Sequence, residues 1–202
     1  MNRLLTEALP TTVQIQREDV PIDTDFRTCI RFEQLLEDRA IDDTVRTNTA
    51  IEMFYGSMMV PDRVAATHGI LWFYSCGKYD PNEPQNPAVK RPRKIYDYDE
   101  DARLIYAAFL DQYGIDLQDV ETLHWWKFCA MQAGLKADAE FTRVISYRAM
   151  DLRKIKNKEL HAQYAKLQRL YALPDNRTRE EKIADAAAAF GGGLPYGASN
   201  RS

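Results

Sequence analysis

The sequence predicts a mainly α protein: a helical bundle with a small N-terminal β-hairpin or edge element and a flexible C-terminal tail. Three observations predict it. Aromatic and aliphatic residues recur at helical spacing through residues 95–172. Asp or Asn residues placed to open helices, and Gly or Pro residues placed to close them, bracket those runs. Period-two alternation is confined to the start, where Val13 and Ile15 alternate with polar neighbours. The 202 residues suit one domain with a small satellite. The expected organisation is a β element plus helices over 1–76, a proline-rich linker over 77–94, a helical region over 95–174 and a mobile tail over 175–202.

The β element is expected to turn at Arg17-Glu18-Asp19 and return through Val20-Pro21-Ile22. A first helix follows, with Phe26, Ile30, Phe32 or Glu33, and Leu36 near helical spacing and Asp23 or Thr24 as its cap. A second covers residues 42–55 on the thin apolar set Val45, Ile51, Met53 and Phe54. A third opens at Pro61-Asp62, where proline's missing N–H would be unpaired anyway. Residues 77–94 then hold Pro81, Pro84, Pro87 and Pro92 and few apolar side chains, the composition of an extended linker.

Asp97, with Glu100 three residues on, resembles a capping box and predicts a helix start there. Tyr98, Ala102, Ile105, Phe109 and Tyr113 form its stripe, and Gly114 closes it. Asp116 or Asp119 is expected to open the next helix, which runs through Leu123, Trp125, Trp126, Phe128 and Met131 to Gly134. Those side chains project in several directions, so this helix should be buried on most sides. A further helix begins near Asp138 and carries Phe141, Val144 and Ile145. It is expected to kink between 151 and 156. Asn157 then caps a last helix with the stripe Leu160, Tyr164, Leu167 and Tyr171, and Pro174 stops it. In the tail, Thr178 and Glu181 make a second capping box ahead of an Ala-rich run from Ile183 to Phe190. That run has too few large apolar groups to fold alone, so it is expected to attach loosely or dock onto a partner.

Nothing in the sequence points to catalysis. His68, His124 and His161 have no companions at metal-ligand spacing. His124 precedes Cys129 by five residues, an offset that does not share a helix face, so a Cys–His nucleophile is not expected. The acids at 97, 99, 100 and 101 lack the Gly and distal Glu of a calcium loop. They suit a helix N-terminus, whose dipole favours negative charge. Cys29, Cys76 and Cys129 are far apart in the chain and form no CxxC, as expected of reduced thiols. The opening MNRLLTEALP has no apolar h-region, so no signal peptide is expected. The longest apolar run is too short for a membrane span.

Charge is segregated along a chain whose net charge is −3. Residues 96–121 sum to −7 and residues 147–171 to +5. The two segments are either complementary faces of neighbouring helices or surfaces for oppositely charged partners. The run Lys90-Arg91-Pro92-Arg93-Lys94 could touch phosphates, but the net charge of −3 speaks against nucleic acid as a partner. Adjacent indoles at Trp125 and Trp126 project about 100° apart on a helix. They are either both core, or one is core while the other anchors an interface.

Several segments together resemble the bacteriophage gene-product-fifteen family across most of residues 10–175. They are Asp23-Thr24-Asp25-Phe26-Arg27, Tyr96-Asp97-Tyr98, Leu123-His124-Trp125-Trp126-Lys127-Phe128, Ile145-Ser146-Tyr147-Arg148, Lys156-Asn157-Lys158-Glu159 and Tyr171-Ala172-Leu173-Pro174. The resemblance implies a gene of the phage tail module and no enzymatic activity, metal or cofactor. It implies a tail assembly chaperone that holds the tape measure protein soluble while tail-tube subunits (the major tail protein) gather on it. The implied location is the cytoplasm of the bacterial host, not the mature virion, and self-association is compatible with it. The alternatives are a structural component retained in the virion and, behind it, a nucleic-acid-binding phage protein. A helical groove would cover the tape measure's apolar stripes. Its candidate contacts are Tyr96, Tyr98, Tyr106, Trp125, Trp126 and Phe128, with Arg148, Lys154 and Lys156 setting orientation by charge.

Overall fold

A two-residue turn starts the fold. Gln16 and Arg17 both adopt positive φ (50° and 72°), the conformation that joins tightly paired antiparallel strands with the right twist. The computed structural model, which describes residues 4–83 and 94–174, therefore turns one residue earlier than the charged run suggested. β1 (Thr12–Ile15) pairs with β2 (Glu18–Pro21), Val13 opposite Val20. Val13, Ile15 and Val20 point into the core, so the alternation is that of a half-buried hairpin.

Seven α-helices follow among the described residues: α1 (Phe26–Glu37), α2 (Asp43–Tyr55), α3 (Arg63–Tyr74), α4 (Ala102–Tyr113), α5 (Trp125–Ala133), α6 (Glu140–Ala149) and α7 (Lys158–Leu170). The expected mainly α class with an N-terminal hairpin is the observed one. Asp25, not Asp23 or Thr24, caps α1, accepting from the Arg27 amide. Asp42 and Asp62 cap α2 and α3 in the same way, and Asn157 caps α7. Asp23 instead accepts from the Asp25 amide and the Thr28 hydroxyl.

Two further helix starts differ from expectation. Asp97 opens only a turn, accepting at Oδ1 from the amides of Asp99 and Glu100. α4 begins at Ala102. The reciprocal bond to the Asp97 amide comes from Asp101, not Glu100, so Asp101 performs the box's second half from one position further along. α5 begins at Trp125 and not at Asp116 or Asp119, because Asp116 accepts from the Tyr106 hydroxyl and the Gln118 amide and so holds a local turn. The expected kink is a single 3-10 turn at Leu152–Lys154.

α2 packs on α1 and α3, α3 lies against β1, and α1 meets α5. α4 meets α5 and α6, and α6 carries α7. The core is largely aromatic: Phe54, Phe73, Phe109, Phe128 and Phe141 are all fully buried. Each such side chain contributes about 1.5–3 kcal/mol relative to exposure. The elements on either side of 77–94 share this one core. Residues 84–93 of that segment, and the expected tail helix, lie outside the described residues.

Candidate partner-binding surface

Two of the sequence segments noted above, nearly a hundred residues apart, lock together at the centre of the molecule. Asp25 and His124 form an antiparallel bridge: the Phe26 amide donates to the Leu123 carbonyl (2.9 Å) and the Trp125 amide to the Thr24 carbonyl (2.8 Å). The start of α1 and the start of α5 thus satisfy each other's unpaired backbone groups. Arg27 reinforces the joint. Its guanidinium donates to the carbonyls of Leu117 (3.0 Å) and Val120 (2.7 Å) and lies over the Phe26 ring. His124 caps α5: its Nδ1 accepts from the Trp126 amide (3.1 Å), while Nε2 lies 3.0 Å from the Pro10 carbonyl. Nε2 must therefore carry the proton. Burial holds the imidazole below its ordinary pKa of 6.5, which the bond to Pro10 partly opposes.

The tryptophan pair is structural. The Trp125 indole N–H donates to the Tyr74 carbonyl (2.7 Å), and that of Trp126 to the Phe73 carbonyl (2.8 Å). These carbonyls belong to the last turn of α3, where the helix itself supplies no donor; the Phe73 carbonyl also accepts from the Cys76 amide (3.0 Å). Cys76 (φ 54°) and Gly77 (φ 78°) complete the closure. The Gly77 amide bonds the Trp72 carbonyl, and a side chain at Gly77 would meet the Trp126 ring at 3.3 Å. Both indoles are buried. Trp125 stacks on Tyr74 (5.5 Å) and Phe128 (5.6 Å), and Phe128 stacks in turn on Phe26 and Phe109 (4.9 Å each).

The other candidate contacts divide between interior and surface. Tyr98 is buried and donates to Gln132 (3.0 Å), with Tyr96 packed edge-on against it and against Phe141. Tyr106 is half-buried and donates to Asp116 (2.8 Å). Arg148 is buried in a two-pronged ion pair with Asp101 (2.5 and 2.9 Å). It also donates to the carbonyls of Ile95 (3.2 Å) and Tyr171 (2.5 Å), tying α6 to the approach to α4 and to the end of α7. Its charge is consumed inside the protein. Lys154 and Lys156 are exposed. Tyr98, Trp125, Trp126, Phe128 and Arg148 thus do not form an open groove in this conformation.

The thiols are brought closer than the sequence suggested. Cys76 and Cys129 lie close enough to act on each other's ionisation, the neighbouring thiol pulling Cys76 down and pushing Cys129 up. Burial pushes Cys29 far up. Cys29 and Cys129 are thereby held as protonated, weakly nucleophilic groups. No cluster of three or more His, Cys, Asp or Glu side chains suited to a metal ion occurs among the described residues.

Two of the surfaces left open among the described residues bear on partner binding; Val45, Met59 and Val64 are exposed elsewhere. One is a shallow cleft of about 570 Å³, lined by Leu4, Leu9, His124, Lys127, Ala130 and Met131. The other is α7. Alone among the α-helices it has no buried residue. Tyr164 and Tyr171 pack on Tyr147, and Gln168 bonds the Met150 carbonyl (2.6 Å), so one side of α7 is attached to α6. Leu160 is 43% and Leu170 70% exposed. Leu160, Gln163, Leu167 and Leu170 recur at the i, i+3, i+7, i+10 spacing of a helix–helix seam. Exposed Lys158, Lys166 and Arg169 flank that seam. Leu170 lies off the stripe that the sequence pattern picks out, and only its exposure beside Leu160 reveals the second edge.

No helix among the described residues is long and apolar enough to cross a membrane. The family model described as Bacteriophage Gp15 protein matches residues 5–173. No curated protein and no solved structure matches. With a match covering residues 5–173 of its 202, the chain belongs to the Bacteriophage Gp15 protein family.

Proposed function

We propose that this phage protein is a non-enzymatic tail assembly chaperone. It acts in the host cytoplasm, holds the tape measure protein and tail-tube subunits during assembly, and is absent from the finished virion. Family membership supports a phage structural or assembly role. One observation carries the finer reading: α7 presents an exposed apolar edge, Leu160 and Leu170 with the half-buried Leu167 between them, bordered by Lys158, Lys166 and Arg169. A tape measure protein offers long apolar helical stripes, and a helix of this kind is the complement of such a stripe. The bordering charges favour an acidic flank on the partner and set orientation and on-rate. Lys154 and Lys156, exposed just before α7, extend the same basic border.

The test is co-expression with the tape measure protein, followed by affinity capture and size exclusion. The expected result is a soluble complex from a tape measure that is insoluble alone, with no copies of this chain in purified virions. Failure to rescue solubility, together with stoichiometric copies in virions, would establish a retained tail component instead. A steeply salt-dependent shift of DNA would move the basic border of α7 to nucleic-acid binding.

A further inference from the structure

We propose that copies of this chain associate head to tail: the leucine edge of α7 on one copy seats on the exposed face of α4 on the next. The contact stands on the chain's own residues. Its competition with the tape measure protein for the same edge rests on the chaperone reading above.

Three observations converge. The first is a second open helix face. α4 leaves Arg103, Ala107, Leu110 and Asp111 exposed, Leu110 to 44%. Arg103, Ala107 and Leu110 recur at i, i+4, i+7, so they line one side of the helix, as the leucines of α7 do. Both edges are exposed in the same copy, so neither covers the other within one molecule.

The second is charge. Asp101 and Arg148 neutralise each other inside the protein. The exposed charges left along α4 are the acids Glu100 and Asp111 against Arg103, and along α7 the bases Lys158, Lys166 and Arg169 against Glu159. Two α7 edges brought together set bases on bases, and two α4 faces set acids on acids. Opposite charges meet only when α7 pairs with α4.

The third is alignment. Laid parallel with Leu110 beside Leu167, α7 overlaps the whole of α4, a contact about 18 Å long. Arg103 then lies near Glu159, Asp111 near Lys166 and Glu100 near Lys158, each opposite in sign. The antiparallel alternative, with Leu110 beside Leu160, sets Asp111 near Glu159 and Arg103 between Lys166 and Arg169, like charge on like. The leucines supply the apolar contact, and the charges choose the direction.

Because the two patches differ, every copy offers both halves of the contact, and assembly runs past the dimer to a ring or a chain of copies. One helix pair is small for a stable interface, so this assembly is weak and reversible. On the chaperone reading it shields the leucine edge until the tape measure protein displaces the neighbouring copy.

The experiment is sedimentation of the full-length protein over a concentration series at low and high salt. The weight-average mass should grow past that of a dimer at low salt and fall toward the monomer at high salt. Glu100→Lys/Asp111→Lys on α4, and Lys158→Glu/Lys166→Glu on α7, should each weaken association about tenfold or more. Mixed in equal amounts, the two double variants restore opposite charge at both contacts and should associate again. Wild-type melting temperatures report intact folds. A monomer at every concentration overturns the proposal, as does growth that stops at the dimer or a mixture that does not associate. In a separate capture assay, Glu100→Lys/Asp111→Lys keeps the α7 edge free and should take up the tape measure protein at lower concentration than wild type. Self-association with no capture by any variant would overturn the chaperone reading and leave the head-to-tail contact standing. Capture by a wild type that is monomeric throughout would do the reverse.

Discussion

α5 and α7 look alike in what they suggest for binding, yet the protein uses them in opposite ways. α5 begins with two tryptophans and a phenylalanine, the residue types richest at interface centres. Every polar handle they carry is nonetheless occupied inside the molecule, with the two indole N–H groups closing the last turn of α3. α7 has mostly charged and polar residues and buries none of them. Aromatic density therefore marks where this chain completes its own core. A sparse leucine edge beside lysines marks where it has surface to offer. The reason is energetic: a large aromatic group gains most from full burial, and a core this rich in rings has internal partners for all of them.

This contrast can be broken most forcefully at the ring stack. Phe128→Ala removes a fully buried ring stacked on three others and should cost about 3–5 kcal/mol in denaturant unfolding. A loss near zero would mean that the stack does not hold α5 in place. Arg148→Ala leaves Asp101 buried without its partner and should cost a comparable 3–5 kcal/mol, whereas Arg148→Ala with Asp101→Ala should recover part of that loss. Additive losses would show that the pair is not coupled. Trp126→Phe keeps a ring but removes one of the donors to the Phe73 carbonyl, which retains the Cys76 amide, and about 0.5–1.5 kcal/mol should be lost.

His124 gives a smaller, pH-dependent effect. Its folded pKa lies below the ordinary 6.5, so the unfolded chain binds the proton first as pH falls. The melting temperature should therefore drop as pH is lowered from about 7.5 through 6.5 and below. Protonation also removes the Nδ1 acceptor that caps α5. His124→Asn retains a capping oxygen and should flatten this part of the profile. An identical slope in that variant would assign the acid sensitivity elsewhere. The smallest stability effect belongs to Leu170→Asp. At a side chain this exposed, unfolding should stay within about 0.5 kcal/mol of wild type.

Local signals carry the helices, the hairpin and several caps, because Asp, Asn, Gly and Pro act within a few residues of themselves. The α3 start at Asp62, the Asn157 cap and the kink at Leu152–Lys154 were all legible for that reason. The start of α5 differs from expectation because long-range and competing bonds decide it. Asp116 is engaged by Tyr106, and the start of α5 is set by its bridge to Asp25 across the fold. The same limit applies to the site. Nothing local reveals that Arg148 would meet Asp101 or that the indoles would reach α3, so the sequence leaves both the core and the surface reading of the tryptophans open. Of the oppositely charged segments, the buried Arg148–Asp101 pair realises the complementary-face reading, while Lys154, Lys156, Lys158 and Lys166 remain directed outward.

Capture of the co-expressed tape measure protein by Leu170→Asp and by Trp126→Phe, compared side by side where both are folded, tests the central claim most directly. If α7 is the contact face, Leu170→Asp loses capture by about tenfold or more, as expected for a charge placed in an apolar seam. Trp126→Phe should then bind as wild type despite its lower stability. The reverse outcome, with capture retained by Leu170→Asp and lost by Trp126→Phe, would contradict the claim and return the binding role to the tryptophan pair.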